Sequence, residues 1–302
     1  MNPILKYLYD DGRRRNEDPN PTGREKERRR QRNLPIPENI ESDLDVSYRT
    51  ENGNTLKCNI LIPKDSGNNK LPVIVMIHGG GFLFGDRRGN LPFRIMMAER
   101  GYLVYCIEYR LLYETDFFGA LADVNHGLQF VKDSLVQYNG DPERISVTGE
   151  SAGGLLALYS TAMCGSGTVR EQMGVFCPDI KIRGLILSSG MLYTTRLDYI
   201  AAVYKRDLYG KRTKDKEFMK YMNPENPEVI DSLPKVCLVS GHGDFLRSMT
   251  LRYAKALDKA QHPNLLLDYD TKKKLPHAFA TLMPMLAESR DAIDRMDTWM
   301  KE

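Results

Sequence analysis

Residues 145–163 restrict the fold of this 302-residue chain more than any other stretch. The apolar run Ile145 to Thr148 meets Gly149-Glu150-Ser151-Ala152-Gly153-Gly154, and the chain continues as an apolar segment to Met163. The short run reads as a buried strand and the longer one as a helix. The backbone must therefore turn from strand to helix within a few residues. Gly149 and Gly153, two positions either side of Ser151, lack the bulk that would stop the two backbones passing. A serine on such a turn projects its hydroxyl above the sheet at a helix N-terminus, where free N–H groups favour negative charge.

The same alternation runs through most of the chain. Leu56 to Ile62, Val73 to Ile77, Tyr102 to Ile107, Leu185 to Ser188, Val236 to Ser240 and Leu265 to Tyr269 read as further strands. Helices are expected around Pro92 to Arg100, Phe117 to Tyr138, Ala152 to Met163, Arg247 to Ala260 and Ala280 to Met300. A polar turn is expected from Lys64 to Lys70. Strands separated by helices pair in parallel through crossovers and are covered on both faces, which is an α/β architecture. Two parts break the rhythm. Residues 1–40 begin with a short helix over Met1 to Tyr9, then become dense in Arg. They end in the extended linker Leu34-Pro35-Ile36-Pro37. Thr194 to Asn226, rich in Tyr, Lys and Arg, reads as an insertion in the catalytic domain 41–302.

Composition excludes several classes. The net charge is +3, too small to argue for a nucleic-acid or membrane partner. The acids Glu17, Asp18, Glu25 and Glu27 dilute the Arg-rich segment, which reads as a solvated face. No apolar run approaches membrane-spanning length, and Met1 to Arg15 has no signal-peptide h-region. Cys58, Cys106, Cys164, Cys177 and Cys237 are odd in number and match no metal spacing. They read as free thiols in a reducing, cytoplasmic setting. No metal and no cofactor are expected, and homo-oligomerisation stays open.

Chemistry is expected at three further places. His78-Gly79-Gly80-Gly81 follows the strand Val73 to Ile77 and offers backbone N–H groups that could approach a developing oxyanion closely. His78 precedes the serine and reads as structural. Of the later histidines, His277 lies after the last strand and before the final helix, where a base belongs. His262, beside Pro263, is expected to be exposed, and His242 comes too early. Asp244, in the loop after Val236 to Ser240, is the acid that would orient His277, ahead of the rivals Asp268 and Asp270.

Together these motifs resemble the hormone-sensitive-lipase-like family of bacterial esterases. They are His78-Gly79-Gly80-Gly81-Phe82, Glu108-Tyr109-Arg110-Leu111, Gly149-Glu150-Ser151-Ala152-Gly153-Gly154, Gly243-Asp244 and His277-Ala278-Phe279. The resemblance spans roughly Val46 to Glu302. It implies an α/β-hydrolase fold with an eight-stranded, mostly parallel sheet. It also implies oxyanion donors at Gly80, Gly81 and Ala152, and a small cap built from residues 1–40 and 194–226. One motif departs from the family: Glu108-Tyr109-Arg110-Leu111-Leu112-Tyr113-Glu114 stands where Asp-Tyr-Arg-Leu-Ala-Pro-Glu is usual, which leaves that loop's shape open. Phe82, Glu150 and Tyr193 are expected to contact substrate. The expected reaction is hydrolysis of short-chain carboxylic esters by Ser151, His277 and Asp244. An amide or formamide hydrolase with the same triad, or a non-catalytic ligand-binding relative, are the alternatives.

Overall fold

The computed structural model describes residues 1–51, 53–64, 67, 69–196, 198–272 and 274–302, with the side chain of residue 24 left aside. The polar turn expected over 64–70 lies in part outside the described residues, as does residue 197 of the expected insertion. Eight strands form a sheet: β1 (Ile40–Glu51), β2 (Asn54–Pro63), β3 (Leu71–Ile77), β4 (Leu103–Ile107), β5 (Gly140–Glu150), β6 (Gly184–Ser188), β7 (Lys235–Gly241) and β8 (Asn264–Tyr269). Their order is β1-β2-β4-β3-β5-β6-β7-β8. Strand β2 runs antiparallel to both β1 and β4, and every other pair is parallel.

The helices are α1 (Pro3–Glu17), α2 (Gly23–Arg32), α3 (Leu91–Glu99), α4 (Phe117–Ser134), α5 (Ala152–Gly165), α6 (Gly167–Met173), α7 (Tyr199–Tyr209), α8 (Lys216–Tyr221), α9 (Pro227–Asp231), α10 (Arg247–Lys259), α11 (Phe279–Leu282) and α12 (Ala287–Lys301), with a 3₁₀ turn over Gly210–Lys214. Alternation along β3 sorts the core into two layers. Val73, Val75 and Ile77 pack with Leu121, Leu155 and Tyr253 of α4, α5 and α10. Ile74 and Met76 pack on the other face with Phe93 and Met97 of α3 and Ile293 and Met296 of α12. This is why a central strand reads as an unbroken apolar run.

Several local features differ from the sequence expectation: helix α1 runs to Glu17 rather than ending at Tyr9, strand β5 begins at Gly140 rather than Ile145, and three others have a clear local cause. The final helix is two helices, because Pro284 offers no N–H and disfavours helix in Met283, which leaves the helix at φ −132° and ψ 55°. Helix α4 ends at Ser134, four residues early; the chain then turns until Asn139 at φ 56° and Gly140 lead into β5. Strand β1 was not delimited by any apolar run. It carries Glu41, Asp43, Asp45, Arg49 and Glu51, and its pairing with β2 shifts register around Asp45, whose φ is 61°.

The loop after β4, where the family motif varies, is held by a buried ion pair. Asp123 of α4 is fully buried and accepts from Arg110 Nε at 2.7 Å, Arg110 Nη2 at 2.8 Å and Arg49 Nη1 at 2.9 Å. Removing one partner of such a group strands the buried charges that remain. Asp123→Ala is therefore expected to lower stability by about 3–5 kcal/mol, measured by urea unfolding; a loss under about 1 kcal/mol would contradict this account.

Candidate active site

In a parallel sheet the C-terminal strand ends share one edge, and here four of them deliver the expected residues and a fifth, β6, adds Ser189. Ile77 of β3 is level with Gly149 of β5, Glu150 with Ser188 of β6, and Ser188 with Val239 of β7. The loops that follow carry His78 to Gly81, Ser151, Ser189, Asp244 and His277.

Ser151 sits at φ 51° and ψ −119°, a conformation that L-residues avoid and that costs about 1–3 kcal/mol to hold. The turn is that sharp because α5 begins at the next residue. A Cβ on Gly149 would collide with the Gly153 carbonyl, and one on Gly153 with the carbonyls of Ile77 and His78. The Ser151 N–H donates to the Ser188 carbonyl at 3.1 Å, and its own carbonyl accepts from Met191 N–H at 2.9 Å. The serine side chain makes no capping bond to α5 and is half-buried.

Gly80 and Gly81 have φ of 114° and 64°. Among the described residues, neither they nor Ala152 donate a backbone–backbone hydrogen bond outside regular helix and strand pairing. Their loop is braced from behind. Tyr109 Oη donates to the His78 carbonyl at 2.8 Å, and the His78 ring stacks on Tyr109 with centroids 4.2 Å apart. His78 Nδ1 donates to the Gly79 carbonyl at 2.8 Å, and burial pushes the imidazole pKa down. His78 is thus a neutral strut.

The His277–Asp244 pair is closed on one side and open on the other. Nδ1 of His277 lies 2.8 Å from Asp244 Oδ1. Asp244 also accepts from the Leu246 N–H at 2.9 Å and from Ser240 Oγ at 3.1 Å, and its side chain has no exposed area. Burial alone would raise this carboxyl, but the His277 imidazole, with Ser189 and the Leu246 N–H, holds it below the usual carboxylate range. An ionised acceptor requires the proton on Nδ1, which leaves the lone pair on Nε2. Nε2 is buried and, among the described residues, has no hydrogen-bond partner. Phe245, 68% exposed, packs against the His277 ring with centroids 4.4 Å apart.

The rival groups are engaged elsewhere. Asp268 and Asp270 pair with Arg247 at 2.7 and 3.1 Å, and His242 pairs with Asp270 at 3.2 Å. His262 is half-buried rather than exposed, because its Nε2 donates to the Pro234 carbonyl at 2.9 Å.

The three residues expected against substrate contribute differently. Both Glu150 oxygens are engaged, one by the Gly79 N–H at 3.3 Å and the other by the Thr281 hydroxyl. Glu150 therefore ties the glycine loop to the helix after His277. The Phe82 and Tyr193 rings are each 1% exposed and belong to the core, so neither presents an open face. Tyr193 lies between the guanidinium groups of Arg196 and Arg252, at 5.7 and 5.3 Å.

Ser189 carries no sequence signal, and Tyr204 is marked only as one of the tyrosines of the insertion, whose hydroxyls are expected to face a polar substrate. Ser189, fully buried at φ 51°, accepts the Ala278 N–H at 3.0 Å on Oγ and bonds Asp244 as well. It links the loop of Asp244 to the loop of His277, one residue after Ser188, whose carbonyl anchors the Ser151 N–H. Tyr204 of α7 reaches the glycine loop from above.

A sheet of this order, with a serine on a left-handed strand-to-helix turn and an aspartate–histidine pair in the loops after the last two strands, defines an α/β-hydrolase of the esterase type. The chain belongs to the BD-FAE family, whose model matches residues 58–252. It is 27% identical over 248 residues to a probable isoprenylcysteine alpha-carbonyl methylesterase of Oryza sativa subsp. japonica, covering 78% of this chain and 58% of that protein. It is 33% identical over 127 residues to the probable carboxylic ester hydrolase LipM of Mycobacterium tuberculosis, covering 42% of this chain and 29% of that one. The chain thus spans less than two thirds of these relatives' length. Esterase B of Lactobacillus rhamnosis has the same fold, with a TM-score of 0.82 at 21% identity over 99% of this chain and 93% of that one. Among the described residues, no helix is long and apolar enough to cross a membrane.

Proposed function

We propose that this chain is a serine carboxylesterase acting on small esters, with Ser151 as nucleophile, His277 as base and Asp244 as the acid that orients it. The observation that carries the reading is the state of His277: Nδ1 is fixed by a buried carboxylate while Nε2 stays unpartnered. Ser151 Oγ attacks the ester carbonyl carbon as Nε2 takes the hydroxyl proton. The carbonyl electron pair moves onto oxygen, which the N–H groups of Gly80, Gly81 and Ala152 stabilise. Collapse breaks the bond to the alcohol oxygen, which receives the proton from Nε2, and leaves acyl-Ser151. Water repeats the sequence and releases the acid. Release of nitrophenol from nitrophenyl acetate by the purified chain tests this reading, and an inert wild-type chain overturns it. Five free thiols suit a reducing, cytoplasmic setting.

Residues 1–40 and 194–226 form the cap in this reading, and they favour short acyl groups. Among the described residues, the insertion presents no broad apolar face for an oil surface, since Ile200, Val203, Leu208 and Phe218 are buried. Its base is filled by rings: Tyr209 meets Phe117 at 5.3 Å and Phe218 at 5.8 Å. Each methylene adds about 0.8 kcal/mol only while there is room to bury it. Efficiency across nitrophenyl esters is expected to rise over the first few carbons, to roughly hexanoyl, and then fall. A monotonic rise to palmitate, or activation at an emulsion interface, overturns this expectation.

A further inference from the structure

Helix α7 holds one polar group over the glycine loop. A methyl group on Gly81 would come within 2.8 Å of the Tyr204 hydroxyl, so the phenol rests on the space this glycine leaves open. Tyr204 is 8% exposed. Among the described residues its hydroxyl has no hydrogen-bond partner, and burial pushes the phenol up to about 12, which keeps it protonated at neutral pH. The oxygen is not among the sealed unpaired groups of the interior, so it keeps an opening toward solvent and its proton is available to a ligand.

The placement is preorganised by the N-terminal helix. Asp207, three residues beyond Tyr204 on α7, accepts the Asn2 N–H at 2.6 Å. Leu5 of α1 is fully buried. Further along α1, Tyr9 stacks on Phe84 with centroids 6.2 Å apart, and Gly12 lies against the same ring. Phe84 belongs to the glycine loop, where its N–H donates to the Gly80 carbonyl at 3.1 Å. One helix therefore ties the element that carries Tyr204 to the loop that carries Gly80 and Gly81.

We propose that Tyr204 is a further oxyanion donor, its O–H hydrogen-bonding the substrate carbonyl oxygen as charge develops there, beside the N–H groups of Gly80, Gly81 and Ala152. The assignment rests on the reading of Ser151 as nucleophile given above. The phenolic proton stays on Tyr204 throughout, and its contribution is a bond that strengthens as the oxygen becomes charged. A donor of this kind acts on the carbonyl and is indifferent to the length of the acyl chain behind it.

Tyr204→Phe in the full chain, assayed on nitrophenyl acetate and nitrophenyl hexanoate, is expected to lower kcat by about 10- to 100-fold with KM nearly unchanged, since the lost bond is made mainly in the transition state. The loss is expected to be equal for both esters. Inactivation by diethyl nitrophenyl phosphate, whose phosphoryl oxygen would occupy the same place, is expected to slow by a similar factor. Tyr204→Met, which fills the same space with a flexible side chain, is expected to show the same kcat loss, and circular dichroism of both variants reports the fold. An unchanged kcat, a rise in KM alone, or a loss that differs between the two esters overturns the assignment while leaving ester hydrolysis intact. A wild-type chain inert to both esters and to the phosphate overturns the reading of Ser151 and this assignment with it.

Discussion

Ser151→Ala is expected to abolish ester turnover, by about 10⁶-fold in kcat, without lowering the melting temperature. The hydroxyl is the attacking atom in the proposed reaction, and no neighbouring group replaces it. Its loss removes no structural bond, because the side chain does not cap α5. Ser151→Gly goes further. Glycine adopts φ 51° without a Cβ penalty, so this variant is expected to be equally inactive yet more stable than the wild type by about 1–3 kcal/mol. Activity assays paired with denaturant unfolding check both statements. A folded Ser151→Ala protein that keeps most of its turnover would end the proposal. A Ser151→Gly variant no more stable than wild type would show that the turn carries no strain.

His277→Ala is expected to be as damaging as loss of Ser151, and Asp244→Asn milder, at about 10⁴-fold, since the acid acts through the base. The Asn side chain can point an N–H at Nδ1, which moves the imidazole proton to Nε2 and removes the lone pair that Ser151 needs. Asp244 stays ionised on mild acidification, because it is held below the ordinary carboxylate range. Its linkage to stability has the matching sign. The contribution is fully present above the unfolded carboxyl value of about 3.9 and is lost as pH falls through the lower folded one. Kinetics of the variants across pH test the assignment, and inactivity of His242→Ala or His262→Ala with an active His277→Ala would reverse the choice of base.

What was legible in the chain depended on how local its cause is. Gly149 stood out because the clash it avoids, with the Gly153 carbonyl, lies four residues away, whereas Gly153 was legible only through its spacing from Ser151, since the carbonyls it makes room for are those of Ile77 and His78. The position of His277 followed from strand order. Strand β1 gave no apolar run, because only one side of it meets a neighbouring strand and its outer residues face water. Glu150 could be located but its use could not, since its partners are Gly79 and Thr281, 71 and 131 residues away. Ser189 and Ala278 are 89 residues apart, and their bond exists only because β6 and β8 end at one edge. Tyr204 lay inside a segment recognised by composition alone, and its approach to Gly81 depends on how α7 packs against α1 and α4, far away in sequence.

The charged, bulged course of β1 has a bearing on how this protein behaves when concentrated. An unpaired outer strand is a template on which another chain's strand can add, and repeated addition builds fibrils. An incoming strand here would lose its ladder at Asp45, where the register shifts. It would also have to pair alongside Glu41, Asp43 and Glu51, drawing their charges from water. The edge of the sheet farthest from Asp244 and His277 is in this way closed to self-templated growth.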